Sequence, residues 1–294
     1  MIETTISSDL GHVTMKVDQY GRGYRLHRDA EGFGPLSVEN TLTPRVGHRG
    51  SMLSEQHEEA GDMFLPIIVR GEDRQDTEER LEHLAQVLKL ADGLVTVTRT
   101  NTQTGRTRFR RAAYQTGLDT PQWESPYALQ VGVTLDVPDP WAYAPAQTRT
   151  LVPTAAAYLG GWAVPFQFPL SASGTSVPSA VLVDNRGVNP GVLQVTFYGP
   201  SSNPRAWSGP VSVEYRGTLA HDEWVAIGGL DQTVLLGGGG RTRPVPVPGR
   251  LSPHTMMSDL IVPVGRSEWW YEAIDESAQS KAEFTWWDAH QSMR

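Results

Sequence analysis

Four arginines, Arg106, Arg108, Arg110 and Arg111, fall within six residues. They form a basic run on what reads as a hairpin. Nucleic-acid binding would need aromatic side chains for base stacking beside the run. No aromatic base-stacking platform accompanies the run, and residues 1–150 carry sixteen basic against twenty-one acidic side chains. A salt-bridged edge strand or a subunit contact fits better. The acidic segment Glu72–Glu82, with Glu72, Glu78, Glu79 and Glu82, is the natural complement across such a contact. A second set is aromatic: Trp269-Trp270 and Trp286-Trp287. Exposed, they would stack on sugar rings; buried, they are ordinary core. Neighbours in a strand point to opposite faces, so one member of each pair should face inward.

Other constellations lead nowhere sharper. Gly237-Gly-Gly-Gly240 with Arg241 and Arg243 has the amides and charge for a phosphate. No helix start follows it, so it reads as a loop. His57-Glu-Glu-Ala-Gly begins like a zinc-protease motif but lacks the second histidine. The eight histidines show no ligand spacing and there is no cysteine, so neither a metal nor a cofactor is expected. No nucleophile elbow and no Gly-Lys pair of a P-loop occurs. Asp222, Glu223, Asp231, Glu268 and Glu272 offer carboxylates for glycoside hydrolysis, which needs two of them about 5–9.5 Å apart. Nothing pairs any two, and the expectation is that the chain is not an enzyme.

The elements that would hold these residues divide near residue 145. In the first half, Asp76 with Glu79 reads as a capping box opening a helix over 76–90, and Leu81, Leu84, Ala85 and Leu88 share one face. Gly93 closes it. Leu94–Arg99 and Thr107–Gln115 flank the turn sequence Asn101–Gly105 as a hairpin, and Leu129, Val131, Val133 and Leu135 alternate along a further strand. Pro66 marks Met63–Arg70 as an edge strand or a bulge. Residues 1–60 show only strand-like pieces. One helix over at least four strands leaves sheet uncovered, which favours association. The second half has short strands at Ser179–Asn185, Val192–Tyr198, Val211–Tyr215, Glu223–Ile227, Gln232–Leu236, Leu260–Val264, Glu268–Ile274 and Ala282–Trp287, with no helical stretch. The spacing suggests a β-sandwich. The fold class is therefore mainly β with one main helix: an α+β domain over 1–145 and a β-sandwich over 146–294. Val137-Pro-Asp-Pro-Trp-Ala-Tyr-Ala-Pro145 is the stiff link between them.

Composition sets outer limits. The 294 residues carry a net charge of −8, which disfavours non-specific DNA binding. No window approaches about 18 consecutive apolar residues, so no membrane insertion is expected. The start, MIETTISSDLGHV, has no basic or apolar region of the kind a signal peptide needs.

The order of these features resembles the distal tail proteins of long-tailed siphophages, also known as minor tail proteins. Three stretches carry it: the array Phe64–Arg70, Asp76–Leu90 and Gly93–Thr120; the strand from Val131 ending in Asp139-Pro-Trp-Ala-Tyr143; and Val183-Asp-Asn-Arg-Gly-Val-Asn-Pro-Gly191 followed by Trp224–Ile227, Asp231–Leu236 and the aromatic hairpin Glu268–Trp287. The resemblance implies a ring-forming first domain, like that at the end of a tail tube, and a galectin-like jelly roll. It implies a hexameric homo-oligomer joining the tail tube protein to the tip or hub, and supporting receptor-binding or fibre proteins. The place would be the virion's tail tip or baseplate, assembled in host cytoplasm. It implies no catalytic residue. A carbohydrate-binding tail module touching host glycans through the tryptophans is the alternative.

Overall fold

Residues 2–45, 49, 51–89, 93–152, 179–274 and 280–294 are described in the computed structural model of the chain. They form two units, residues 1–145 with 290–294, and residues 146–289.

The first unit contains β1 (Ile2–Ser8), β2 (Gly11–Thr14), β3 (Gly23–Leu26), β4 (Val38–Pro44), β5 (Ser51–Glu58), β6 (Gly61–Arg70), α1 (Arg74–Lys89), β7 (Val95–Asn101), β8 (Arg106–Thr116), β9 (Gln122–Ser125), β10 (Ala128–Val137) and β11 (Ala142–Tyr143). One antiparallel run has the order β2-β1-β7-β8; in another, β6 lies between β3 and β10, and β9 adds to β10. The long β8 serves both. Its first seven residues pair with β7, and its last part pairs with β10 across a register shift. The expected hairpin forms because Asn101 caps its own turn: its carboxamide oxygen accepts from the amides of Gln103 and Thr104. Gly105, at φ +67°, makes the left-handed step.

The alternation in β10 does what period two requires. Leu129, Val131, Val133 and Leu135 all point inward, opposite Val69, Ile67, Leu65 and Met63 of β6. They share one core with Ile6 and Val13 of the first run, with Val95 and Val97, and with Leu84, Val87 and Leu88 of α1. Much of the sheet surface that one helix could not cover is thus covered by the other strands. Pro66 is not on an edge strand, since β6 is paired on both sides. Its carbonyl accepts from the amide of His27 just beyond the end of β3. The missing N–H points the same way, where the β3 ladder has stopped, so no bond to β10 is lost.

Helix α1 begins two residues before Asp76. Asp73 is the cap, accepting from the Asp76 amide at 2.9 Å, and Asp76 reaches back to the Glu72 amide at 2.8 Å. The expected box of Asp76 with Glu79 does not form: Asp73 takes the cap position, and Glu79 accepts from the Gln75 side chain instead. The bond from the Glu72 amide, with Arg80 close by, holds the Asp76 carboxyl below its ordinary pKa. Leu84 and Leu88 are buried as their spacing predicts, with Val87 beside them.

The second unit contains β12 (Gln147–Leu151), β13 (Ser179–Asn185), β14 (Asn189–Tyr198), β15 (Ser201–Ser208), β16 (Val211–Glu214), β17 (Thr218–Leu219), β18 (Glu223–Gly228), β19 (Thr233–Gly238), β20 (Val245–Pro246), β21 (Ile261–Val262), β22 (Gly265–Ile274) and β23 (Lys281–His290). One sheet has the order β12-β23-β14-β18-β19-β20, with β21 on β14; the other is β13-β22-β15-β16, with β17 on β15. Between them lies a core that includes Phe197, Val225, Ile227, Trp269, Tyr271, Phe284 and Trp286. All eight strands read from the sequence of this half are present. Strands β12 and β15 and the two-residue strands β17 and β20 were not legible, β15 because of Pro204 within it.

Replacing Leu84 with Asp places a carboxylate in the first unit's core. It should lower that unit's unfolding free energy by about 3 kcal/mol or more. The second unit's transition, followed separately by calorimetry, should not move.

Candidate functional site

The basic run does not act as one surface. Period two puts Arg106, Arg108 and Arg110 on one face of β8 and Arg111 on the other. Arg106 is exposed, Arg108 and Arg111 are half-buried, and Arg110 is fully buried. Arg110 is therefore no part of a subunit contact. Its guanidinium donates to the carbonyl of Gly32 at 2.5 Å, of Pro140 at 2.9 Å and of Gln291 at 2.9 Å. Burial pulls its pKa down to about 10 against the opposing pull of Asp139, so it stays charged at neutral pH. Arg108 donates to the carbonyls of Ser292 and Arg294. The two arginines thus bind the last residues of the chain, whose Met293 amide bonds to the Phe33 carbonyl and whose side chain enters the core. His290, close to Arg106 and Arg108, has its pKa pushed down to about 4, first by burial and then by these charges.

The acidic partners are largely engaged within the unit. Glu72 pairs with Arg22 at 2.7 Å, Glu78 with Arg74 at 2.9 Å, and Glu79 accepts from Gln75. Glu82 is exposed. The link at 137–145 is packed rather than free: Ala142 and Tyr143 are buried, and Asp139 accepts from the Tyr143 hydroxyl at 2.6 Å and from the Trp141 amide.

Sequence reasoning missed one surface. Strands β4 and β5 pair with each other and, among the described residues, with no other strand. Leu42 and Leu53, directly opposite each other, are 60% and 56% exposed, and Met52 is 51% exposed. The apolar residues are few and sit among Thr, Ser, Glu and Gln, so no periodicity announces them.

The tryptophan pairs split as a strand demands. Trp269 and Trp286 are buried, which removes them as glycan contacts; the Trp286 indole donates to the Asp184 carbonyl. Trp270 and Trp287 face outward and are half-buried. Trp270 stacks on Trp207, over which Arg205 lies at 5.3 Å. The hydrolase carboxylates do not converge: Glu223 is tied to Arg241 and Glu272 to Arg205, and these two belong to different sheets. No group of three or more metal-ligating side chains occurs among the described residues. In the segment Val183–Gly191, Asn185 is buried and donates to the carbonyls of Asn189 and Val262 while accepting from the Gly187 amide. A side chain at Gly187 or Gly191 would strike the backbone of Ala289 or Trp287. This motif is structural.

Two outcomes follow. Arg110→Met strands three carbonyls and should cost the first unit about 3 kcal/mol in a denaturant titration. His290 binds its proton less readily in the folded chain than in the unfolded one. Its contribution is therefore complete above pH about 6.5 and is lost as pH falls toward 4. The loss should be no more than about 1 kcal/mol for a half-exposed ring, and His290→Gln should flatten it in melting curves between these pH values.

No family model and no curated protein sequence matches the chain. Solved structures do. The chain is similar to the Dit protein of phage SPP1, described as a paradigm of the hub adsorption apparatus in phages infecting Gram-positive bacteria, at 14% identity and a TM-score of 0.56, covering 97% of this chain and 98% of that one. It is also similar to a chain of the phage P2 baseplate in its activated conformation with calcium, at 10% identity and a TM-score of 0.62, with the same coverage. The strontium form of that baseplate gives 0.61. Over nearly its whole length, then, the chain has the fold of phage distal tail and baseplate hub proteins, the fold that its sequence resembles.

Proposed function

We propose that the chain is a structural protein of a long-tailed phage's tail tip: a distal tail protein whose first unit assembles into a ring of identical copies, six by the resemblance, between the tail tube and the tip or baseplate. The second unit would offer surfaces to host-recognition proteins. The hub and baseplate roles belong to the structurally similar proteins and support this reading by fold.

The observation that carries assembly is the β4–β5 hairpin. An isolated two-stranded hairpin is marginal in water, and this one exposes Leu42 and Leu53 side by side on one face and Met52 on the other. It is fastened at its base, where the Glu59 amide bonds to the Ser37 carbonyl and the Trp141 indole donates to Glu58. Such an arm gains its missing cover from a neighbouring copy. A head-to-tail contact of this kind makes a ring when its rotation closes, and an open filament when it does not. Arg106 and Glu82 remain available to add charge complementarity.

Light scattering on the intact protein at low salt should find an oligomer, and negative-stain images should show a ring. Leu42→Glu with Leu53→Glu should release monomers with the core intact, since both side chains lie outside it. Arg106→Glu should weaken the ring only modestly, and more at low salt than at high. A wild type that stays monomeric at tens of micromolar, alone and with its tail-tube neighbour, would sink the proposal.

A further inference from the structure

The sheet β12-β23-β14-β18-β19-β20 turns one face to the core and the other outward. On the outward face is a groove of about 290 Å³, lined among others by Gln194, Thr196 and Tyr198 of β14, Trp224 of β18, Glu283 of β23, and Asp231. Its centre is a tryptophan laid flat. Trp224 pairs across strands with Gly237, and a Cβ at Gly237 would sit 2.2–2.4 Å from two atoms of the indole. The backbone of Gly237 is not left-handed, unlike that of Gly238, Gly239 and Gly240 beside it. The glycine is therefore needed for space and not for conformation. It lets the indole lie on the sheet with its other face toward the groove.

Around this platform the chemistry is polar and uncharged or negative. Gln194 offers an amide, Thr196 and Tyr198 offer hydroxyls, and Glu283 and Asp231 offer carboxylates. Partial burial, with Glu283 nearby, raises the Tyr198 pKa, so its hydroxyl keeps its proton. No arginine or lysine is among the residues that line the groove, and Lys281 lies at its edge, over the Tyr198 ring at 4.5 Å. Carboxylates in the lining disfavour phosphate, sulfate and acidic sugars. They accept bonds well from neutral hydroxyls.

We propose that this groove binds a neutral hexose unit of a surface polysaccharide, with one apolar face of the sugar ring on Trp224 and its hydroxyls held by Gln194 and Glu283. It is a different place from the paired tryptophans: only Trp287, four residues along β23 from Glu283, shares this face. The site is complete within one copy of the second unit, so its presence does not depend on ring assembly.

The test uses the intact protein and a panel of methyl glycosides of glucose, galactose, mannose and N-acetylglucosamine, read by tryptophan fluorescence and ligand-observed NMR. At least one should bind with a millimolar dissociation constant, as suits a small ligand in an open groove. Trp224→Ala should abolish binding, and Glu283→Gln and Gln194→Ala should each weaken it about tenfold. Trp207→Ala, on the other sheet, should leave it unchanged. The melting temperature of the second unit reports whether each variant folds, and if Trp224→Ala does not, the other two decide. No binding by any glycoside at about 100 mM, or binding that survives in all the groove variants, overturns the proposal. Neither result bears on assembly, which light scattering reads separately.

Discussion

A charged side chain with no exposed surface organises the first unit. Arg110 sits in the middle of β8 and holds three carbonyls that are remote in sequence: one from the loop at Gly32, one from the link at Pro140, one from the chain's end at Gln291. A guanidinium suits this task because its donors lie in one plane and point in fixed directions, and because it keeps its charge even when burial lowers its affinity for the proton. None of the three segments has a strand ladder to satisfy these carbonyls. Without the arginine, all three would lose this donor at once, and the cost would fall on the whole unit.

The same reasoning explains what could be read from the sequence. Local patterns were legible wherever the constraint was local. The β10 alternation, the Asn101–Gly105 turn and the Leu84–Leu88 face each follow from a period or from a turn residue acting on its own neighbours. The tryptophan pairs obeyed the strand period as well. What could not be read was everything that depends on a distant partner. Four arginines in six residues look alike as letters, yet one is a core residue, one holds the chain's end and one is exposed. The difference lies in residues 290–294, about 180 positions away. Pro66 misled in the same way, because its strand's status depends on where β3 stops.

At 10–14% identity to structures of the same fold, few individual side chains can be shared. What holds the fold in this chain is buried alternation, turn glycines and a few specific polar contacts. Asn185 is such a contact in this chain. Its carboxamide joins the turn after β13 to β21, and Gly187 and Gly191 allow the backbones to meet there. Asp139, which orders the Pro-rich link by accepting from Tyr143 and Trp141, is another.

Because residues 290–294 return to the first unit, the second unit is an insertion and not an appendage. The chain leaves its host fold after Pro145 and re-enters it at His290. A module joined in this way can be exchanged as a cassette between two fixed splice points, and both ends of the host remain where they were.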